Sequence, residues 1–263
     1  MTTETRGRVR VEQSTKRIRA YFGGELVADT TAARLVWEVP YYPAYYLPAA
    51  DVRTEFLAPS GRTERSPSRG EARYSTLTVG DAVAKDAAWQ YPESPMAELR
   101  DLIRFEWDAL DAWFEEDEEV YVHPRDPYSR LDVLTSSRHV EVVINGVTVA
   151  ETHRPTLLFE TGLPVRYYLP QPDVRWDLLR PSSRTSRCPY KGTAEYWSVQ
   201  AGDELVDDVV WIYRTPLPES QKIAGLACFY NERVDLVVDG VRQERARSPF
   251  SPRKAGPQAG VLA

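Results

Sequence analysis

Apolar and polar residues alternate along most of this chain, which is the period-two pattern of β-strands. The clearest case is the segment HVEVVINGVTVAET, where the alternation runs up to Asn145-Gly146 and resumes beyond it. This dipeptide favours a type I′ turn, because both central residues of that turn need a positive φ. Gly23-Gly24 stands in the same place within RIRAYFGGELVADT. The pattern predicts a mainly β protein built from hairpins.

One segment, SPMAELRDLIRFEWDAL, has helical rather than strand character. Ser94 would cap its first turn and Pro95 would occupy the first helical position. The sequence therefore predicts a helix that begins after Ser94. The end of the segment aligns with the strand-like residues 228–231, so the helix is expected to stop before Phe105.

The chain also matches itself when Gly24 is placed over Gly146, a shift of 146 − 24 = 122 residues. Between Gly24 and Tyr91 roughly 28 of about 68 positions are identical without a gap, which indicates a duplicated module. Positions that both copies keep are expected to hold the fold. Positions that diverge are candidates for chemistry gained or lost.

The repeat and the composition between its copies predict four parts. The first repeat module covers residues 11–122, an ordered connector covers 123–138 and the second repeat module covers 139–247. The tail, residues 248–263, is rich in Pro, Gly and Ala and is expected to be disordered, and residues 1–10 are expected to be frayed.

Bulk properties exclude several classes of protein. The net charge of −6 argues against a general nucleic-acid surface. No stretch approaches 18 consecutive apolar residues, so neither a membrane span nor a membrane partner is expected. The N-terminus has no apolar core typical of a signal peptide. Two cysteines are too few for a disulfide framework or a cysteine zinc cluster. We expect a cytoplasmic protein with reduced thiols, no metal and no cofactor.

The positions shared by both copies carry polar and aromatic side chains that favour a structural interpretation. Ion pairs would fix loops, while Trp and Tyr rings would fill a core with their polar tips satisfied. The shared set is Glu38/Glu160, Tyr45/Tyr167, Tyr46/Tyr168, Asp51/Asp173, Arg53/Arg175, Arg62/Arg184, Arg65/Arg187, Trp89/Trp211 and Tyr91/Tyr213.

The copies diverge most informatively in one loop, which reads RCPYKG from Arg187 in the second copy and RSPSRG from Arg65 in the first. A thiol at Cys188 beside Arg187 and Lys191 would have a lowered pKa and act as a nucleophile. Lys191 would alternatively hold an anionic ligand. The competing interpretation makes Cys188 a small buried residue and Lys191 a solvated one. Cys228 lies in an apolar strand and is assigned to the core.

An acidic run, residues 106–119, is interleaved with aromatic residues, so alternate side chains should be buried. Buried acids need partners, which the arginines of the connector would supply. A carboxylate together with His123 would suit acid–base chemistry or a hard metal ion. The spacing matches no metal-ligand signature. His139 and His153 are interpreted as surface or hairpin residues rather than ligands.

The runs YYLPQPDVRWDLL, TSRCPYKGTAEYW, DDVVWIY and LACFYNERVDLVVDG resemble the bacterial family called domain of unknown function 427. With WDALDAWFEEDEEVYVHPRDPYSRLDVLTSSRHV, the first copy resembles the tandem two-module form of actinobacteria. The resemblance covers about residues 12–245 and implies a compact, mainly β, tent-like module. Zinc is not carried over, because the Cys-x-x-Cys motifs of the related zinc folds are missing. A nucleotidyltransferase-like label is also attached to the family, but the chain has no glycine-rich phosphate loop.

The leading hypothesis is a small molecule bound in an aromatic-lined pocket of the second module, with an enzymatic version in which the molecule is also transformed there. The candidate catalytic residues are Cys188, Lys191, Glu160 and His123, and the candidate ligand-binding residues are Tyr167, Tyr190, Arg187, Trp211 and Tyr213. One alternative is a non-catalytic protein-interaction platform that meets a basic partner through Glu115–Glu119. Another is an acid–base enzyme with its site at the domain seam, built on the acidic run and His123.

Overall fold

The computed structural model describes residues 9–251. The chain divides after Pro127 into two compact units, here called the first and the second module. The expected fraying of residues 1–10 and the expected disorder of the tail fall mostly outside the described residues. Within the tail, Ser248 and Ser251 close a turn through a backbone hydrogen bond of 3.0 Å.

Within residues 9–251, each module has eleven strands. The strands of the first module are β1 (Arg10–Gln13), β2 (Ile18–Phe22), β3 (Glu25–Thr30), β4 (Arg34–Trp37), β5 (Ala44–Pro48), β6 (Leu57–Ser66), β7 (Gly70–Val79), β8 (Ala82–Gln90), β9 (Leu102–Phe105), β10 (Ala112–Glu115) and β11 (Glu118–Val120). Those of the second are β12 (Leu131–Thr135), β13 (Val140–Ile144), β14 (Val147–Thr152), β15 (Thr156–Glu160), β16 (Arg166–Leu169), β17 (Leu179–Cys188), β18 (Gly192–Ala201), β19 (Glu204–Ile212), β20 (Ala227–Phe229), β21 (Asp235–Val238) and β22 (Val241–Arg242).

The two modules share one topology. A seven-stranded sheet has the order β1-β4-β5-β9-β8-β7-β6 in the first module and β12-β15-β16-β20-β19-β18-β17 in the second. A four-stranded sheet has the order β11-β10-β2-β3 in the first, and its counterpart β22-β21-β13-β14 in the second. The mainly β class and the duplication predicted from the sequence are confirmed.

Hairpin turns form where the sequence placed them. Asn145 and Gly146 both have positive φ, 50° and 78°, and they join β13 to β14. Gly23 and Gly24 join β2 to β3 in the same way, with φ of 58° and 78°. Asparagine and glycine tolerate this left-handed region better than other residues, which is why the dipeptide signals were informative.

The predicted helix after Ser94 is wrong. Ala97–Leu99 forms a single 3₁₀ turn, and Leu102–Phe105 is strand β9. This strand lies between β5 and β8 and pairs with both. Pairing on two edges satisfies its backbone and buries its apolar side chains, which outweighs a local helical preference.

The segment predicted to be a connector, residues 123–138, contains a strand that its polar composition did not indicate. Leu131–Thr135 forms β12, which pairs antiparallel with β15 in the second module. It is the counterpart of β1, which pairs with β4 in the first module. Residues 131–135 therefore belong to the seven-stranded sheet of the second module.

Each seven-stranded sheet is buried on two faces. One face packs on the four-stranded sheet over a core of mostly aliphatic residues. The opposite face, here called the aromatic face, carries three tyrosines and a tryptophan that occupy equivalent positions in the two modules. These residues are Tyr46, Tyr74, Trp89 and Tyr91 in the first module and Tyr168, Tyr196, Trp211 and Tyr213 in the second.

Helices are short throughout the described part of the chain, where the longest is the 3₁₀ helix Pro218–Ile223. None of those helices has the length and apolar character needed to cross a bilayer.

Candidate functional site

The hairpin loop between β17 and β18 holds the side chain of Lys191 against the aromatic face. Cys188 pairs with Gly192 at the mouth of this loop. Gly192 has a φ of 92°, and a Cβ there would lie 3.4 Å from the carbonyl oxygen of Thr215. The carbonyl oxygen of Lys191 accepts a hydrogen bond from the backbone N–H of Leu217 (3.2 Å). Glycine and this backbone bond thus let the loop lie close to the chain after β19.

Lys191 and Glu160 form a nearly buried ion pair. Nζ of Lys191 donates to Oε2 of Glu160 at 2.5 Å, and their side chains are only 11% and 8% exposed. An ion pair removed from water in this way requires good geometry, because the desolvation of both charges opposes it. The sequence placed both residues in one candidate site, and the structure brings them into direct contact.

Three further groups surround this pair on the aromatic face. Trp211 and Tyr213 are both buried there, and Cys188 is half-buried. Burial, followed by the charges of Cys188, Tyr196 and Glu160, raises the pKa of Tyr213 well above its usual range. The Tyr213 hydroxyl therefore stays protonated at neutral pH and can donate a hydrogen bond.

The first module builds the equivalent cluster with more donors. Glu38, the counterpart of Glu160, accepts hydrogen bonds from the hydroxyl of Tyr46 and from Arg104. Arg69, the counterpart of Lys191, lies 3.6 Å from the Glu38 carboxylate. Nε of Arg69 also donates to the hydroxyl of Tyr91 at 3.1 Å. Two guanidinium groups and one phenol thus satisfy the carboxylate and the tyrosine of the first module.

Tyr167 does not join the Glu160–Lys191 cluster. It packs on the aliphatic core between the two sheets, while its neighbour Tyr168 lies on the aromatic face, because successive strand residues point to opposite sides. Tyr167 instead lines an open cavity of about 170 Å³, together with Val165, Asn231, Val234, Leu236, Gln243 and Glu244. That volume lies below the roughly 300–1,000 Å³ typical of drug-sized ligand sites.

The remaining predicted residues have different local surroundings. Arg187 is exposed. Tyr190 is buried, and its carbonyl oxygen accepts a hydrogen bond from the Ser220 hydroxyl at 3.0 Å. His123 belongs to the first module, where its ring stacks on Tyr42 at 4.1 Å. Burial lowers the pKa of His123, against the opposing effects of the Pro124 carbonyl and Asp126.

Two acids of the acidic run pair with bases that precede the run in the first module. Glu115 is buried and accepts hydrogen bonds from Lys16 and from the hydroxyl of Tyr45. Asp117 pairs with Arg19 at 2.8 Å. The reason is the antiparallel pairing of β10 with β2, which the sequence pattern did not reveal. The expected burial of alternate side chains is confirmed along β10.

Sequence reasoning missed a buried charge network on the aromatic face of the second module. Arg166 donates to both oxygens of Glu232 at 2.6 and 2.7 Å, and it also donates to Asn231. Its guanidinium lies 5.5 Å from the centre of the Trp211 ring. The available signal was divergence between the copies, because Arg166 stands where the first module has Ala44.

The fold and this cluster define a class of protein with two duplicated antiparallel β modules, each carrying a charged group on an aromatic sheet face. The family described as Domain of unknown function (DUF427) matches the chain in two segments, residues 10–116 and 132–240. The chain belongs to this family and carries two copies of its domain. No curated protein matches the chain in sequence.

Proposed function

We propose that the second module binds a small polar molecule on its aromatic face, at Glu160, Lys191 and Tyr213. The observation that supports this proposal is a difference between the modules. The second module keeps the carboxylate and the tyrosine of the first but replaces the arginines that satisfy them. Lys191 stands in place of Arg69, and Cys228 stands at the sheet position of Arg104.

These replacements leave hydrogen-bonding capacity at the site. Within residues 9–251, Glu160 accepts its hydrogen bond from Lys191 through one carboxylate oxygen, Oε2. The hydroxyl of Tyr168 accepts from Trp211 at 3.3 Å, whereas the equivalent Tyr46 donates to its carboxylate. A ligand that forms hydrogen bonds with these groups would gain about 0.5–1.5 kcal/mol from each bond.

The same geometry indicates the chemistry of the ligand. Glu160 offers an acceptor, while the Lys191 ammonium has three N–H donors and gives one of them to Glu160. Tyr213 makes no hydrogen bond through its hydroxyl to the described residues, and its raised pKa keeps it a donor. The complementary molecule is small, carries a carboxylate, carbonyl or phosphate oxygen for Lys191 and Tyr213, and carries an N–H or O–H for Glu160.

Two alternatives gain less support. The carboxylates of Glu115 and Asp117 already pair with bases of the first module, which reduces the charge left for a basic protein partner. A site at the domain seam stays a prediction, with His123 placed against Tyr42.

Both cysteines are free thiols, which supports our expectation of a reducing, cytoplasmic environment.

A screen of small amino acids, carboxylates, amides and phosphates by ligand-observed NMR tests this proposal. We expect compounds that bind the full chain to lose affinity by about three- to tenfold in Tyr213→Phe, since one hydrogen bond is removed. Glu160→Gln should weaken them further. Tyr91→Phe makes the same change in the first module and should leave binding unchanged. Equal effects of Tyr91→Phe and Tyr213→Phe, or a screen without any binder, would contradict a site in the second module.

A further inference from the structure

Two histidines and a glutamate converge on the hairpin of β13 and β14, on the four-stranded sheet of the second module. The side chains are His139, Glu151 and His153, and one ligand atom of each lies within 4.8 Å of the others. Nε2 of His139 lies 2.9 Å from the Glu151 carboxylate, and the two imidazole rings stack with centroids 4.2 Å apart. Within residues 9–251, this is the group of His, Cys, Asp and Glu whose ligand atoms come close enough to share a metal ion.

The first module has an ordinary ion pair at the same place. His139 and Glu151 correspond to Arg17 and Asp29 at the shift of the duplication. Nε of Arg17 donates to Asp29 at 2.7 Å, and a second N–H of the guanidinium donates to the other oxygen. The backbone around both sites is alike, because the N–H of Arg17 donates to Glu116 and that of His139 to Asp239. The second module has thus exchanged a guanidinium, which cannot bind a metal, for an imidazole, which can. Its second imidazole, His153, stands where the first module has Thr31.

The charges around the histidines also differ between the modules. Glu141 lies directly opposite Glu151 in the register of β13 and β14, and like charges placed this way destabilise a sheet. The equivalent pair in the first module is Arg19 opposite Asp29, which is attractive. Nδ1 of His139 lies 3.9 Å from Glu141. A divalent cation on this face would offset the repulsion between Glu141 and Glu151.

We propose that His139, Glu151 and His153 bind a zinc ion, with Glu141 available as a fourth ligand. Imidazole nitrogen and carboxylate oxygen are zinc ligands at about 2.0–2.2 Å. A tetrahedron with such bonds separates its ligand atoms by about 3.4 Å. The ligand atoms lie within 4.8 Å of one another, so small side-chain rotations suffice to close the site. Glu151 and His153 are exposed, so neighbouring core residues do not prevent those rotations. This site lies on a different sheet from the Glu160–Lys191 pair and does not depend on the function proposed above.

Isothermal titration of the chelator-treated full chain with Zn²⁺ tests the proposal. We expect one zinc ion per chain, and no comparable binding of Mg²⁺, which prefers oxygen ligands. His153→Ala should weaken zinc binding by about tenfold or more, since even the partners of zinc ligands are commonly worth that much. His123→Ala removes the one histidine of the chain that lies outside this cluster, and it should leave zinc binding unchanged.

A second variant separates loss of the ligand from loss of the fold. His139→Arg should abolish zinc binding while retaining the urea midpoint, because Arg17 already pairs with Asp29 in the same backbone setting. Zinc binding that persists in both His139→Arg and His153→Ala would overturn the proposal. So would a wild-type chain that takes up no zinc, or an equal loss of zinc in His123→Ala.

Discussion

Arg104 and Cys228 occupy the same position in the two seven-stranded sheets. Arg104 pairs with Trp89 across β9 and β8, and Cys228 pairs with Trp211 across β20 and β19. Arg104 lies 4.6 Å from the centre of the Trp89 ring. In the second module the guanidinium over the tryptophan comes from Arg166 on the neighbouring strand. Each module therefore keeps a cation on its aromatic face, but a different strand supplies it.

The Arg104–Glu38 contact is expected to contribute measurably to the stability of the first module. Arg104→Met removes the hydrogen bond between the Arg104 guanidinium and the Glu38 carboxylate, and it should lower the free energy of unfolding by about 1.5–3 kcal/mol. Urea denaturation of the full chain measures this loss. Arg53→Met, which breaks an exposed pair with Glu55, serves as the control and should cost less than about 1 kcal/mol. Equal losses in the two variants would contradict a structural role for Arg104.

The buried Arg166–Glu232 pair should show strong coupling. Arg166→Met leaves the Glu232 carboxylate, which is 0% exposed, without its bidentate partner. Removing one member of a buried pair costs about 3–5 kcal/mol. The double variant Arg166→Met with Glu232→Leu should be less destabilised than the sum of the single variants, because neither charge is then left alone. A double-mutant cycle by urea denaturation decides this, and additive losses would exclude the coupling.

Acid should remove the contribution of Glu232 to stability. Burial opposes ionisation, but hydrogen bonds from Arg166 and Ser248 outweigh it and lower the pKa of Glu232 below its ordinary 4.5. A carboxyl with a depressed folded-state pKa stabilises the fold above its ordinary value, and this stability is lost as the pH falls through the folded pKa. We expect wild type to exceed Glu232→Gln in thermal stability at pH 6, with the difference shrinking below about pH 4.5. A difference independent of pH would contradict this assignment.

The two cysteines should differ in reactivity. Cys228 is fully buried, and burial raises the pKa of its thiol to about 12, so little thiolate is present at neutral pH. Cys188 is half-buried at the end of β17. A colorimetric thiol reagent should therefore modify one thiol per native chain and both in urea. Cys188→Ser should abolish the native reaction and Cys228→Ser should preserve it, whereas the reverse result would show that the hairpin loop shields Cys188.

The limits of sequence reasoning are clearest where an outcome depended on pairing between distant strands. The segment after Ser94 has a helical pattern, but its end forms strand β9, because β5 and β8 pair with β9 on either side. Glu115 pairs with Lys16 rather than with a connector arginine, because β10 lies beside β2 and Lys16 precedes β2. Local patterns carry no information on such neighbours, since the residues concerned are far apart in the chain.

The candidate site was predictable in part. Comparison of the copies singled out Glu160 and Lys191, and they form an ion pair. It also selected Tyr167, although Tyr168 is the member of that dipeptide on the aromatic face. Alternation along a strand shows that neighbouring side chains point in opposite directions, but it does not show which direction faces the four-stranded sheet.

The sequence by itself determined the β class, the duplication and the turns, because alternation, repetition and positive-φ residues act over short distances along the chain. It also identified the loop of Cys188 and Lys191 as the place where the copies diverge. Only the tertiary structure decided which charged side chains form ion pairs with one another. The Arg166–Glu232 and Lys16–Glu115 pairs join residues far apart in the chain, and they depend on strand register and on the packing of one element against another. These are set by burial of the whole sheet rather than by any local segment.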